Sequence, residues 1–121
     1  KTVQARNELM DNDNYMFAST AWGADYDDAM TYLDLWTNGT PYRGSYVNEK
    51  YNKLIDDARV ETDDAKRLDM LLQAEKLLVD EDMIVAPLYH RGSATLTKSN
   101  VKGLISHPFG PDVEFKYAYF E

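Results

Sequence analysis

The stretch from residue 48 to residue 79 leaves this chain the least freedom. Tyr51, Leu54, Ile55 and Ala58 recur at i, i+3, i+4 and i+7, a spacing that gathers side chains on one face of an α-helix. Asn48 stands where such a helix needs a side-chain oxygen to accept one of its unpaired first-turn N–H groups. Thr62 or Asp63 caps a further, longer helix, with Leu68, Leu71, Leu72 and Leu78 expected inward. Glu75 falls on the face of Leu68, Leu71 and Leu72, so its carboxylate is expected to find a backbone or basic partner in the interior. Two amphipathic helices in succession each need an apolar surface to lie on.

The flanks offer strands and one more helix. Residues 15–21, Tyr-Met-Phe-Ala-Ser-Thr-Ala, form an apolar, β-tolerant run and read as a buried strand. Asp27 or Asp28 then caps a helix to about Thr37, with Met30, Leu33 and Trp36 on one face and the acids favourably placed against the helix dipole. Asn38-Gly39-Thr40-Pro41 stops it, and residues 41–47 read as a loop. Asn38-Gly39-Thr40 also matches a glycosylation triplet, a match common by chance. Met83–Tyr89, with Pro87 inside it, suits a strand end or an edge, and Ala94–Lys98 alternates as another strand. Phe115 to Phe120 closes the chain as a last strand with Phe115, Tyr117 and Tyr119 on one face. That aromatic face wants a sheet that 121 residues do not obviously supply.

Composition removes whole classes of function. A net charge of −8 argues against nucleic acid or an anionic membrane as partner and leaves a cationic ligand compatible. There is no cysteine, so disulfides, thiolate metal sites and cysteine nucleophiles are excluded. No apolar run approaches a transmembrane span, and no apolar segment follows the basic residues near Lys1 as a signal peptide would require.

Enzyme motifs are absent from the sequence. His90 and His107 lie outside any metal-ligand spacing. No nucleophile elbow, phosphate-binding loop or dinucleotide fingerprint occurs, and nothing calls for a cofactor. The acids at 11–13 and 80–82 lack the register and central glycine of a calcium loop and read as solvated charge.

The order of the pieces says more than any one of them. A strand ends in Trp22-Gly23-Ala24-Asp25-Tyr26, and an acidic helix start carrying "MTYLDLW" follows. Then come "YVNEKYNKLIDDAR", "TDDAKRLDMLLQAEKLLVDEDMIVAPLYH", and "TLTKSNVKGL" with the aromatic tail. From about residue 15 to the end, this succession resembles the C-terminal part of the bacterial extracellular solute-binding proteins of the oligopeptide and dipeptide importers. That family's pattern runs W-x-A-D-Y-x-D-P, N-P-E-Y-D-K-L-I, R-x-x-x-x-x-x-A-E-x-x-L, V-P-L-Y and V-K-G. Asp27 and Ala29 stand where the family often has prolines, Glu49 where proline follows the cap, and Ala86 looks like an insertion before Pro87.

The resemblance implies an α/β chain that is a fragment of a two-lobe, class II periplasmic-binding-protein fold. Three helices are expected to pack on short strands, with an incomplete sheet. Residues 1–92 would belong to the second lobe, and residues 93–121 would return to a first lobe mostly lying outside this sequence. The implied role is capture of oligopeptides outside the cell membrane, by a lipid-anchored or periplasmic protein, and delivery to the permease subunits of an ABC importer. No enzymatic activity is implied. Asp25 would receive the peptide's α-ammonium, a cation every peptide carries whatever its side chains. Trp22, Gly23 and Tyr26 would form the adjoining contact surface, glycine allowing another backbone to approach closely. Other ligands of the same family (oligosaccharide, nickel chelate, haem) and a small acidic helical interaction module are the competing readings. The aromatic tail is expected to be disordered or paired with a neighbouring molecule.

Overall fold

A computed structural model of the chain describes residues 2–38, 46–110 and 112–121. Gly39 and Thr40 of the glycosylation triplet and most of the loop at 41–47 lie outside them. The core is helical. It is built from α2 (Met30–Leu33, continued by a 3-10 turn Asp34–Trp36), α3 (Glu49–Val60) and α4 (Asp64–Lys76, continued by a π turn Leu77–Glu81). Every buried hydrophobic side chain among the described residues lies between Met30 and Leu78.

The helix starts form as the caps require. Asn48 Oδ1 accepts the N–H of Tyr51, and Asp63 Oδ1 accepts those of Ala65 and Lys66. Tyr51, Ile55 and Ala58 of α3 are completely buried against α4, which contributes Leu71 and Ala74. Two alanines at this crossing let the helices approach closely. Full burial of Ile55 alone contributes about 1.5–3 kcal/mol. The Tyr51 hydroxyl donates to the carbonyl of Leu33, joining α3 to the end of α2, while its ring meets Tyr46 edge-on at 5.7 Å between centroids. Tyr46 and Asn48 both donate to Asp82 Oδ2, at 2.8 and 2.7 Å, so the chain before α3 is fastened to the chain after α4.

The inward face of α4 differs from the face expected. Leu71 and Leu78 are buried, but Leu68 and Leu72 are more than half exposed, and Glu75 is on the surface and needs no interior partner. The stripe facing α3 runs through Leu71, Ala74, Leu77 and Leu78, with alanine taking the place expected of a leucine. Burial of adjacent Leu77 and Leu78 is the work of the π turn, in which Asp82 N–H reaches back to the Leu77 carbonyl. The Leu78 carbonyl then accepts from Ile84 and Val85, around Met83 at φ +53°.

Strands are scarcer than the sequence pattern implies. Residues 15–21 form no strand and stand mostly exposed, held at one point where Arg6 Nη1 donates to the Ser19 carbonyl. Residues 83–89 and 94–98 form no helix or strand and pair with no described strand; Val85 packs on the helical core. Leu88, Tyr89 and Leu96 are exposed. Period-two apolar spacing marks a segment able to join a sheet, and no described sheet reaches these segments. A helix absent from the reading above, α1 (Val3–Asp11), is capped by Thr2 and buries no residue.

Among the described residues four strands are present, of two residues each. β1 (Val101–Lys102) pairs antiparallel with β4 (Tyr119–Phe120), and β2 (Ile105–Ser106) pairs antiparallel with β3 (Val113–Glu114). The expected disorder of the tail is thus not seen at Tyr119 and Phe120, which pair within the chain. It turns at Phe115–Ala118 and returns to β1, so Phe115, Tyr117 and Tyr119 do not line a single strand, and all three are exposed. Gly103, at φ +71°, is needed at this crossing, since a Cβ there would lie 2.0 Å from the Tyr117 carbonyl oxygen.

Candidate functional site

Residues 21–24 form no helix or strand and enter a series of bends at Asp25–Asp28 that leads into α2. The acidic composition of the bends follows from what they must do. Four first-turn N–H groups of a helix need acceptors, and a carboxylate supplies one while favouring the positive end of the dipole. Of the three acids Asp25, Asp27 and Asp28, it is Asp28 that turns inward. Its Oδ1 accepts the Met30 N–H at 2.8 Å.

The cation that meets this acidic turn belongs to the chain itself. Arg67 of α4 grips Asp28 with two parallel bonds, Nη1 to Oδ2 at 2.7 Å and Nη2 to Oδ1 at 2.9 Å, across 39 residues of sequence. The remaining guanidinium edge donates from Nε to the Ala58 carbonyl at the end of α3. The two side chains are equally and only partly exposed, 28% each. The Arg67 hydrogen bonds hold the Asp28 carboxyl below the usual carboxylate range, against the opposing effect of burial. The pair thus joins α2, α3 and α4 at the root of the 22–28 segment.

The residues expected to contact a ligand lie together on the outer side of this root. Asp25 is exposed, and its backbone N–H donates to Oγ1 of the buried Thr31 at 3.1 Å. Among the described residues, no side chain or backbone donor reaches the Asp25 carboxylate. Trp22 and Tyr26 are 37% and 45% exposed. A Cβ built on Gly23 would meet nothing within 4 Å, so the space beside that backbone is open. Burial, then the nearby acids Asp34 and Asp28, push the Tyr26 phenol up, which keeps it neutral. Among the described residues, grooves lie beside α1 around Glu8 and Asn12, and along α4 between Leu72 and Asp80. Trp22, Gly23, Asp25 and Tyr26 are all exposed, so segment 22–26 is a surface ledge. Among the described residues, no group of three or more acids or histidines is placed to hold a metal ion.

Arg67 escaped the reading of the sequence as a site residue. Asp28 and Arg67 both occupy positions of the quoted family pattern, the second acid of W-x-A-D-Y-x-D and the arginine that begins R-x-x-x-x-x-x-A-E. Two letters of opposite charge kept in one pattern were the available signal.

No family model matches the chain. Individual relatives do. It is 32% identical over 116 residues to the oligopeptide-binding protein OppA of Bacillus subtilis, covering 94% of this chain and 21% of that protein. Among solved structures, the substrate-binding domain of an oligopeptide ABC transporter from Bacillus anthracis superposes with a TM-score of 0.83. It is 32% identical and covers 99% of this chain and 24% of its own. OppA of Listeria monocytogenes, solved with bound peptide, gives 0.77 at 39% identity over 98% of this chain and 22% of its own. The chain belongs to the oligopeptide- and dipeptide-binding proteins of ABC importers. It matches a C-terminal part of such a protein and has the mixed helix-and-strand architecture of a fragment of that fold. The chain spans about a fifth of the length of the curated relatives it matches.

Proposed function

We propose that the protein containing this sequence captures oligopeptides outside the cytoplasmic membrane and delivers them to the permease subunits of an ABC importer. Residues 1–92 serve in its second lobe and residues 93–121 return to the first. It binds and releases its ligand without chemistry. The observation that carries this reading is the Asp25 ledge. An exposed carboxylate follows a segment without helix or strand, with open space at Gly23, in a chain 39% identical to a protein solved with peptide in place. An extended peptide laid along 22–25 would bring its α-ammonium to Asp25, a charge-assisted pair independent of peptide sequence. Trp22 and Tyr26 would flank the ligand backbone, and the opposite wall would come from the other lobe.

Calorimetry on the full-length protein tests this, with free and N-acetylated peptides against wild type and Asp25→Asn. Enclosed between two lobes, a paired carboxylate and ammonium cost several kcal/mol when one partner is lost. Affinity for free peptides is expected to fall about 100-fold in Asp25→Asn, while N-acetylated peptides, already weak, change little. A coupling energy below about 0.5 kcal/mol in this cycle would remove Asp25 from the site.

A further inference from the structure

We propose that Arg67 is a positioning residue for ligand binding: its two-pronged hold on Asp28 fixes the turn from 25 to 31 and thereby aims the Asp25 carboxylate. The inference rests on the reading of Asp25 as the acid that meets the ligand's ammonium. It adds a residue that touches no ligand and lies 42 positions away (67 − 25) in the sequence.

The argument begins with what does not hold Asp25. Since no described donor bonds its carboxylate, the direction of that side chain follows from the backbone at 25–28. Within this backbone the Asp28 N–H donates to the Tyr26 carbonyl and the Asp28 carbonyl accepts from Thr31, and two side-chain anchors add to these local bonds. One is the Asp25 N–H on Thr31 Oγ1, and the other is Asp28, whose Oδ1 takes the Met30 N–H. The helix carrying Thr31 and Met30 has only four residues, and what seats it, the burial of Met30, Thr31 and Leu33 and the Tyr51 hydroxyl on the Leu33 carbonyl, lies after the turn. Arg67 ties the turn itself to a longer helix. It projects from the thirteen-residue α4 and is itself held at Nε by the Ala58 carbonyl, so the plane of its guanidinium is set before Asp28 arrives. Rotation of the turn by one bond would break both Nη contacts together.

The same geometry separates aiming from folding. α4 is seated by Leu71, Ala74, Leu77 and Leu78, all buried and none in need of Arg67. Removing the guanidinium frees the turn while leaving that apolar stripe in place. The Asp28 carboxylate then keeps one partner among the described residues, the Met30 N–H, and the turn, left with its local bonds, gains a hinge at the point where the ledge meets the core. An ammonium pair depends on placement within about an ångström, so a loosened Asp25 loses most of its preference for a free N-terminus.

The test uses the full-length protein and calorimetry with tri- to penta-alanine, free and N-acetylated. Wild type is expected to prefer the free peptides about 100-fold, and Arg67→Ala to prefer them about tenfold or less. Arg67→Lys keeps the charge but loses the fork and is expected to fall between the two. A lowered melting temperature with the 100-fold preference intact in Arg67→Ala would make Arg67 structural only and overturn the proposal. Should Arg67→Ala fail to fold, Arg67→Lys decides: a wild-type preference in it overturns the proposal, and a reduced one supports it. Equal affinity of wild type for free and acetylated peptides would overturn the reading of Asp25 first, a failure visible without any Arg67 variant.

Discussion

Gly103→Ala is the substitution whose outcome follows most directly from the coordinates. At φ +71° a non-glycine residue costs about 1–2 kcal/mol before any contact is considered. The added Cβ would also stand 2.0 Å from the Tyr117 carbonyl oxygen and 2.9 Å from its carbon. Both are backbone atoms, so no rotamer change relieves the overlap, and the strands must separate by about an ångström. Against this stands the pairing of Val101 with Phe120 and Lys102 with Tyr119, together with the Glu121 N–H on the Asn100 carbonyl. At about 0.5–1.5 kcal/mol net for each bond, so few bonds amount to a few kcal/mol. The exposed ion pair of Lys102 with Glu121 adds at most about 1 kcal/mol. The overlap wins, and residues 117–121 are expected to leave β1. NMR should show loss of the cross-strand contact between Val101 and Phe120 and faster amide exchange at Glu121. The helical melt should shift by less than about 0.5 kcal/mol, because the core lies apart from this pair. Retention of both NMR signals in the variant would refute the account of Gly103.

Two further outcomes are expected. Tyr51→Phe leaves the ring packed but strips the Leu33 carbonyl of its buried donor, and urea denaturation followed by circular dichroism should show a loss of about 1–3 kcal/mol; a change under about 0.3 kcal/mol would mean that water replaces the hydroxyl. The folded-state pKa of Asp28 is depressed below its ordinary 3.8, so the stability it contributes is present above that value and is lost as pH falls through the folded-state pKa. Acid titration monitored by circular dichroism should therefore find wild type losing stability more steeply than Asp28→Asn below about pH 4, and parallel curves would deny the carboxylate its assigned role.

What the sequence disclosed, and what it hid, divides along a physical line. The caps at Asn48 and Asp63 and the buried face of α3 depend on residues within one or two turns of one another, and they appear as expected. Leu68 and Leu72 mislead because helical spacing defines a face without saying what covers it, and α3 covers the face one step round, where Ala74 sits. The strands at 15–21, 83–89 and 94–98 mislead for a related reason: an alternating segment becomes a strand only beside another, and their partners are not among the described strands. At the ledge, Trp22, Gly23, Asp25 and Tyr26 do come together, since five consecutive residues can hardly do otherwise. Asp28 with Arg67 demanded knowledge of how α4 returns to the start of α2, and spacing of 39 residues carries no such information.

The π turn at Leu77–Glu81 has a consequence for change in chain length. A regular helix gaining one residue rotates all that follows it by nearly a third of a turn, which would swing Val85 and the segment around it away from the core. Here the wider turn takes up a residue in place, since Leu77 and Leu78 both stay inside and Asp82 still reaches Tyr46 and Asn48. The end of α4 is thus a joint at which insertion and deletion can be exchanged for pitch. Relatives one residue shorter here could keep the same downstream path with an ordinary helical turn, and the ledge on the far side of α4 would not register the difference.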